Sequence, residues 1–279
     1  MAFETAPWFD HAVINCRNHL DEARDAYRRL GFHVTDRGHH PFGSSNHLMV
    51  FGDTFAELLG VESGKESQRA DLMAFPRALT GLVFRTGSAN EQYRALQAAG
   101  VAGDPPLDFR RPADIDGQVR EAHFATVRLR ADLVANGRTF FCQHFTPELV
   151  WQAPWKVHPN GALEITGMTL ASHDPERNAA LYGNVFTQRH WHTHGLALQA
   201  GPTQIEFLDF AEVAKRYGEA NPHASLDSCM VALRIRVRSL DTLRSVLRAN
   251  DVSHDDAPQG GLIVPSREAQ GVILHFVAS

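Results

Sequence analysis

Three cysteines in 279 residues, Cys16, Cys142 and Cys229, are too few and too scattered for a disulfide framework or a Cys-x-x-Cys metal site. Positive charge is not in excess either, since 27 basic against 32 acidic residues leave a formal net charge of −5. Nucleic-acid binders carry a basic excess or stripe, so no nucleic-acid partner is expected. No apolar run approaches the roughly 20 residues of a membrane helix, so no membrane partner is expected. The opening MAFETAPWFDHAV has neither a basic stretch nor an apolar h-region, and the expectation is a cytoplasmic protein. Also missing are the Gly-x-Ser-x-Gly elbow, the P-loop and the Rossmann glycines, which leaves serine hydrolase, NTPase and dehydrogenase chemistry without support. With 43% hydrophobic and 21% charged residues, the composition is that of a folded protein rather than a disordered one. What the chain has in quantity is histidine, 16 in all, and this raises the question of a metal.

The hydrophobic pattern repeats. FDHAVIN (9–15) alternates as a strand, and LDEARDAYRRLGF (20–32) sets Leu20, Ala23, Ala26, Tyr27 and Leu30 at helical spacing before Gly31. HLMVFG (47–52) and FAELLGV (55–61) are strands joined by a Gly-Asp turn. The order recurs with a strand at 79–86, a helix at 89–101 and strands at 122–130 and 138–145 around the Asn136-Gly137 turn. A third pass runs through 165–172, 175–186, 193–201 and 203–210, and a fourth through 231–237, 240–252, 260–266 and 271–277. A lone βαβββ unit of about 70 residues buries its sheet face poorly, so the four units should pair. The prediction is an α+β protein of two curved sheets, with domains at 1–155 and 160–279 and a boundary at the turn-rich PWKVHPNG (154–161).

Paired βαβββ units with DHAVIN on the first strand and FAELLGV on the fourth resemble the vicinal oxygen chelate superfamily, which includes glyoxalase I, extradiol dioxygenases and bleomycin-resistance proteins. GHHPFGSSNHLMVFGDTFAELLGV (38–61) is similar, more narrowly, to the glyoxalase-like domain branch, through His40, Pro41, Gly43, Ser44 and Asn46, with Ser where Thr is common. The resemblance implies a curved, nearly closed sheet around a divalent ion, with ligands from the first and last strands of each unit. The ion would chelate neighbouring oxygens of a substrate. Many members pair, so a homodimer is a possible state.

Alternation puts Phe9, His11, Val13 and Asn15 on one face of the first strand and Asp10, Ala12 and Ile14 on the other. Phe55, Glu57 and Leu59 share a face of the last strand of that unit. An imidazole and a carboxylate in apolar strands are costly to bury unpaired, and a metal would relieve both. The alternative is a hydrogen-bonded core His11 and a Glu57 paired with an arginine. In the second unit Gly81 stands nearest the position matching His11, a departure from the four-ligand glyoxalase pattern. TFFCQHF (139–145) offers His144 on the face of Phe140 and Cys142, with Gln143 opposite.

The expected metal ligands are therefore His11, Glu57 and His144, a two-histidine, one-carboxylate set suited to Fe, Mn, Zn, Ni or Co. Glu57 and His40 are the candidate catalytic residues, with His123 a further candidate base. The second half aligns Gly167, Glu206 and His275, an incomplete set, so the first half is the expected active one. His190, His192 and His194 share a face if extended, which suits either a second metal site or a stacking surface. Trp151 and Trp155 would stack on an aromatic substrate or plug the interface between the halves. Cys142 reads as an inert core thiol. The predicted function is a metal-dependent lyase, isomerase or dioxygenase acting on a small-molecule substrate, the alternative being a metal-free binding or drug-sequestering protein of the same fold.

Overall fold

The computed structural model describes residues 7–279 apart from 187–189, 193–194 and 220–225. The first half runs β1 (Phe9–Arg17), α1 (Leu20–Arg29), β2 (Gly38–His39), β3 (Ser44–Phe51), β4 (Thr54–Val61), α2 (Ala70–Ala74), β5 (Ala78–Arg85), α3 (Ala89–Ala98), β6 (Leu107–Ile115), β7 (Gln118–Arg128) and β8 (Arg138–His144). The second runs β9 (Ala162–Ser172), α4 (Pro175–Val185), β10 (His190–His192), β11 (Gly195–Ala200), β12 (Thr203–Leu208), α5 (Phe210–Tyr217), β13 (Ser228–Val237), α6 (Leu240–Ala249), β14 (Asp255–Asp256), β15 (Leu262–Val264) and β16 (Ile273–Ala278).

Each half builds one eight-stranded curved sheet, in the orders β2-β3-β4-β1-β5-β8-β7-β6 and β10-β11-β12-β9-β13-β16-β15-β14. The orders are the same, so the four predicted βαβββ units are present and join pairwise through antiparallel first strands, β1 with β5 and β9 with β13. None of the described helices is long and apolar enough to cross a membrane.

Central strands are apolar on both faces because both faces are covered. On one side, Phe9, Ile14, Leu82 and Phe84 of the first sheet merge with Met168, Leu233, Leu274 and Phe276 of the second in a single apolar cluster. Phe32 stacks on Phe276 at 6.1 Å, and Tyr27 Oη donates to the Ala269 carbonyl at 3.1 Å. The inner faces carry separate clusters, one around Val13, Phe55, Phe124 and Cys142, the other around Ala171, Val213 and Ile263.

The stretch between the sheets is fastened to the first half by two side chains. His158 accepts from the His33 N–H through Nδ1 at 3.0 Å and donates from Nε2 to the Val50 carbonyl at 2.9 Å. Asn160 donates through Nδ2 to the Leu30 carbonyl at 3.0 Å. Gly31, at φ +82°, must be glycine here, since a Cβ would meet Val246 Cγ1 at 2.6 Å.

Strand β6 and helix α5 are among the elements that escape the sequence pattern. Strand β6 contains Pro112 and four charged residues because it is an edge strand with one exposed face. Helix α5 follows β12 after only Asp209, whose carboxylate caps it by accepting from the Glu212 N–H at 2.7 Å. The apolar run therefore reads as one strand continuing through Phe210.

Candidate functional site

The site begins with a broken alternation. Along β1, Phe9 pairs with Phe84 and His11 with the very next β5 residue, Val83, so Asp10 is an extra residue, a β-bulge. Phe9 joins the core shared by the two sheets together with Ala12 and Ile14, and does not lie with His11 as strict alternation predicts. The fully buried Asp10 carboxylate is turned to two histidines. Its Oδ2 accepts from His11 Nδ1 at 2.7 Å and from His144 Nε2 at 2.9 Å, while Oδ1 accepts from Arg85 Nε at 2.9 Å. Burial pushes the Asp10 carboxyl up, but the pull of His144 and His11 outweighs it and holds the group ionised, far below the usual carboxylate range.

Both rings are packed as well as bonded. His11 stacks on Phe55 at 4.1 Å, and His144 lies 4.7 Å from Trp151 and 5.3 Å from Phe124. Asp10 occupies one nitrogen of each imidazole. The other nitrogen of His144, Nδ1, is buried with no hydrogen-bond partner among the described residues.

Glu57 stands beside Val13 on the neighbouring strand. Its Oε1 accepts from Asn46 Nδ2 at 2.6 Å and lies 3.7 Å from His40 Nε2. Burial raises the Glu57 carboxyl, yet the surrounding His40, His11, Asn46 and Arg111 bring it below the usual glutamate value. Burial takes His40 down to about 4, so its ring is neutral at pH 7. His40 Nδ1 lies 3.1 Å from Ser44 Oγ.

One cavity of about 110 Å³ in the first sheet collects His11, His40, Glu57, Cys142 and His144. That is the scale of an apolar cavity that admits a benzene-sized guest, ~150 Å³. Gln143 points away and accepts from the Ala89 N–H at 2.9 Å, so the predicted face of β8 is the one that lines the cavity. Among the described residues, the His/Cys/Asp/Glu group whose donor atoms all lie within 4.8 Å is Asp10, Cys142 and His144. His11, Glu57 and His144 share the cavity without forming such a group.

These residues fit a divalent transition ion on two counts. Imidazole and carboxylate are among its donors of choice. Histidines that ligate metals also pass their other ring nitrogen to a carboxylate, which is the role Asp10 fills for both rings, and the orphaned His144 Nδ1 is the nitrogen left over.

The remaining candidates fall into place around this. Gly81 is filled over by Val13, whose Cβ would lie 2.5 Å from a Cβ at 81, so no ligating side chain has room there. His123 turns to Asp108 at 2.9 Å and stacks on Phe145, outside the cavity lining. Trp151 and Trp155 pack on the inner cluster of the first sheet, not between the sheets. Burial pushes the Cys142 thiol well above its usual range, as an inert core thiol requires. In the second sheet Glu206 accepts from Arg216 at 2.7 Å, a Cβ at Gly167 would meet Arg234 at 3.1 Å, and His275 donates to the Gly260 carbonyl at 2.8 Å. The side chains of His190, His192 and His194 lie outside the described residues. Sequence reasoning missed Asp10, because a bulge leaves no mark in an alternating pattern. It also missed Arg69, Arg111, Arg128 and Arg138, which line the same cavity.

Comparison with known proteins agrees with this architecture. No curated protein matches the sequence significantly. Among solved structures, a hypothetical protein from Staphylococcus aureus superposes with a TM-score of 0.67 at 15% identity, over 98% of this chain and 100% of that one. A mutant 4-hydroxymandelate synthase from Streptomyces coelicolor gives 0.54 at 10% identity, over 98% and 92%. A fusion of a xylose isomerase-like TIM barrel with 4-hydroxyphenylpyruvate dioxygenase gives 0.57 at 14% identity, over 98% of this chain and 49% of that one. At these identities the likeness is one of fold. The family model described as glyoxalase-like domain matches residues 9–186, well over half of the chain. The chain belongs to the glyoxalase-like domain family and has the vicinal oxygen chelate fold.

Proposed function

We propose that the chain is a metal-dependent enzyme working in the cavity of its first sheet, on a small substrate that presents neighbouring oxygens. The observation that carries this reading is the pair of histidines, His11 and His144, fixed on one Asp10 oxygen at 2.7 and 2.9 Å in the cavity that also holds Glu57. His11, Glu57 and His144 would hold the ion, and Asp10 would orient both rings. When bound, the ion supplies Lewis-acid polarisation of substrate oxygens, the chemistry shared by lyase, isomerase and dioxygenase reactions.

The protein's own groups divide the remaining work. Glu57, ionised at neutral pH, is placed to take a proton from the bound substrate. Neutral His40, 3.7 Å away, stands beside it without adding charge. Phe55, Phe124, Phe140 and Leu48 wall the cavity and limit water, which strengthens each polar contact inside. The test is turnover by metal-loaded protein on catechols and on glutathione hemithioacetals, with and without chelator. Chelator-sensitive turnover that His11→Ala abolishes supports the reading, and turnover indifferent to both overturns it.

A second reading, a metal-free binding protein, is favoured by one observation. Asp10 already accepts hydrogen bonds from His11, His144 and the Arg85 guanidinium without any ion. Ligand binding unchanged by chelator, with no turnover, would support it.

A further inference from the structure

Four guanidinium groups, Arg69, Arg111, Arg128 and Arg138, line the cavity that holds Glu57 and His144. Their acidic partners are few. Asp71 receives both Arg69, at 3.1 and 3.3 Å, and Arg138, at 3.3 Å. Arg69 also donates to Ser44 Oγ at 2.5 Å. Arg138 Nε is buried with no hydrogen-bond partner among the described residues. The Arg128 guanidinium makes no hydrogen bond or ion pair among them either, although β7 sets it directly across from Phe140, which lines the cavity. Arg111 spends one long contact, 3.4 Å, on the Pro112 carbonyl and lies 5.5 Å over the Phe124 ring.

Two guanidiniums, Arg69 and Arg138, therefore share one bonded carboxylate at one end of a small cavity, and the Arg128 guanidinium beside them bonds none among the described residues. Burying a cation without a counter-ion is costly, and fixed arginine forks match the oxygens of a carboxylate or a phosphate. The sheet register sets the Arg138 end of β8 apart from His144. Arg138 pairs with Gly81, which pairs with Val13, which pairs with Glu57, so Arg138 and Glu57 belong to one row across the strands. His144 lies six residues further along β8 from Arg138, about 20 Å at ~3.3 Å per residue.

We propose that the cavity is an oxyanion-recognition site in which Arg69, Arg128 and Arg138 receive a carboxylate or phosphate group of a small-molecule substrate, with Glu57 at the other end of the same row. This rests on the reading of the cavity as the active site. Burial and the neighbouring Arg128 and Arg69 push the Arg138 guanidinium down to about 10, the sign of a cation held close to like charges. Asp71 holds Arg69 and Arg138 in place and competes with the ligand for them.

The test is titration calorimetry on chelator-treated full-length protein, with inorganic phosphate in one arm and succinate in the other. One-to-one binding is expected in at least one arm, phosphate marking a phosphoryl group and succinate a carboxylate. Arg128→Gln, at an exposed residue with no side-chain bond to lose, weakens it by at least about tenfold, and Asp71→Asn strengthens it. Arg138→Gln abolishes it, with the melting temperature of each variant serving as the check on folding. No saturable binding in either arm, or equal affinity in wild type and a folded Arg128→Gln, overturns the proposal. Because the readout is metal-free binding, its failure is separate from failure of metal-dependent turnover. A protein that binds metal but no anion overturns this inference alone.

Discussion

Asp10 and His144, 134 positions apart in sequence, meet at 2.9 Å, and the same Asp10 oxygen accepts from His11 at 2.7 Å. One carboxylate on a bulge thus ties the first strand of one βαβββ unit to the last strand of the next. Both histidines it holds line the cavity.

Asp10→Asn removes the charge that both imidazoles and Arg85 share. Breaking a buried charged cluster costs about 3–5 kcal/mol, so urea unfolding should show stability lowered by roughly that amount. Metal content should fall in the same variant, because neither ring is held any longer. A loss of under about 1 kcal/mol would mean that the histidines find other partners.

Gly81→Ala tests the close approach of β1 and β5. Its added Cβ would meet Val13 Cβ at 2.5 Å, and neither central strand can move freely. Overpacking of this kind costs about 1–3 kcal/mol, read as a lower urea midpoint with unchanged slope.

His158 makes stability depend on pH. Burial takes its pKa down from the ordinary 6.5 to about 4. Protonation would place a hydrogen on the Nδ1 that accepts from the His33 N–H. Below pH 6.5 the unfolded chain takes up a proton that the native chain refuses. The contribution is therefore full above pH 6.5 and is lost as pH falls through the interval to about 4, in total about 3 kcal/mol. Unfolding free energies measured from pH 7 to pH 4 should fall more steeply in wild type than in His158→Gln, and parallel curves would refute the assignment.

Glu206→Gln separates the two halves. Glu206 aligns with Glu57 but is bonded to Arg216 at 2.7 Å, with Arg234 at 4.0 Å. The variant should lose about 1–3 kcal/mol of stability and keep the metal content and turnover of wild type. A loss of metal would place a site in the second sheet.

Much of this was legible in the sequence, for identifiable reasons. The repeat shows because each unit spaces apolar residues at strand period, then helix period, then strand period again, and one glycine, Gly31 or Gly100, follows the helix of each of the first two units, α1 and α3. His11, Glu57 and His144 stand out as polar groups in strands otherwise built for burial, and all three line one cavity. Asp10 does not stand out, because its role depends on a one-residue bulge that only pairing with β5 creates. The arginines are equally silent. Arg128 and Arg138 sit at strand ends, where charge is ordinary, and only the curvature of the sheet brings them to Arg69 and to the cavity.

Metal content decides the central claim. The chain is purified without a polyhistidine tag, and bound metal is measured in wild type, His11→Ala, Glu57→Ala and Glu206→Gln. The predicted result is about one equivalent of a divalent transition metal in wild type and Glu206→Gln, and loss of it in His11→Ala and Glu57→Ala. Wild-type protein without metal after loading, with a melting temperature unmoved by chelator, would contradict it.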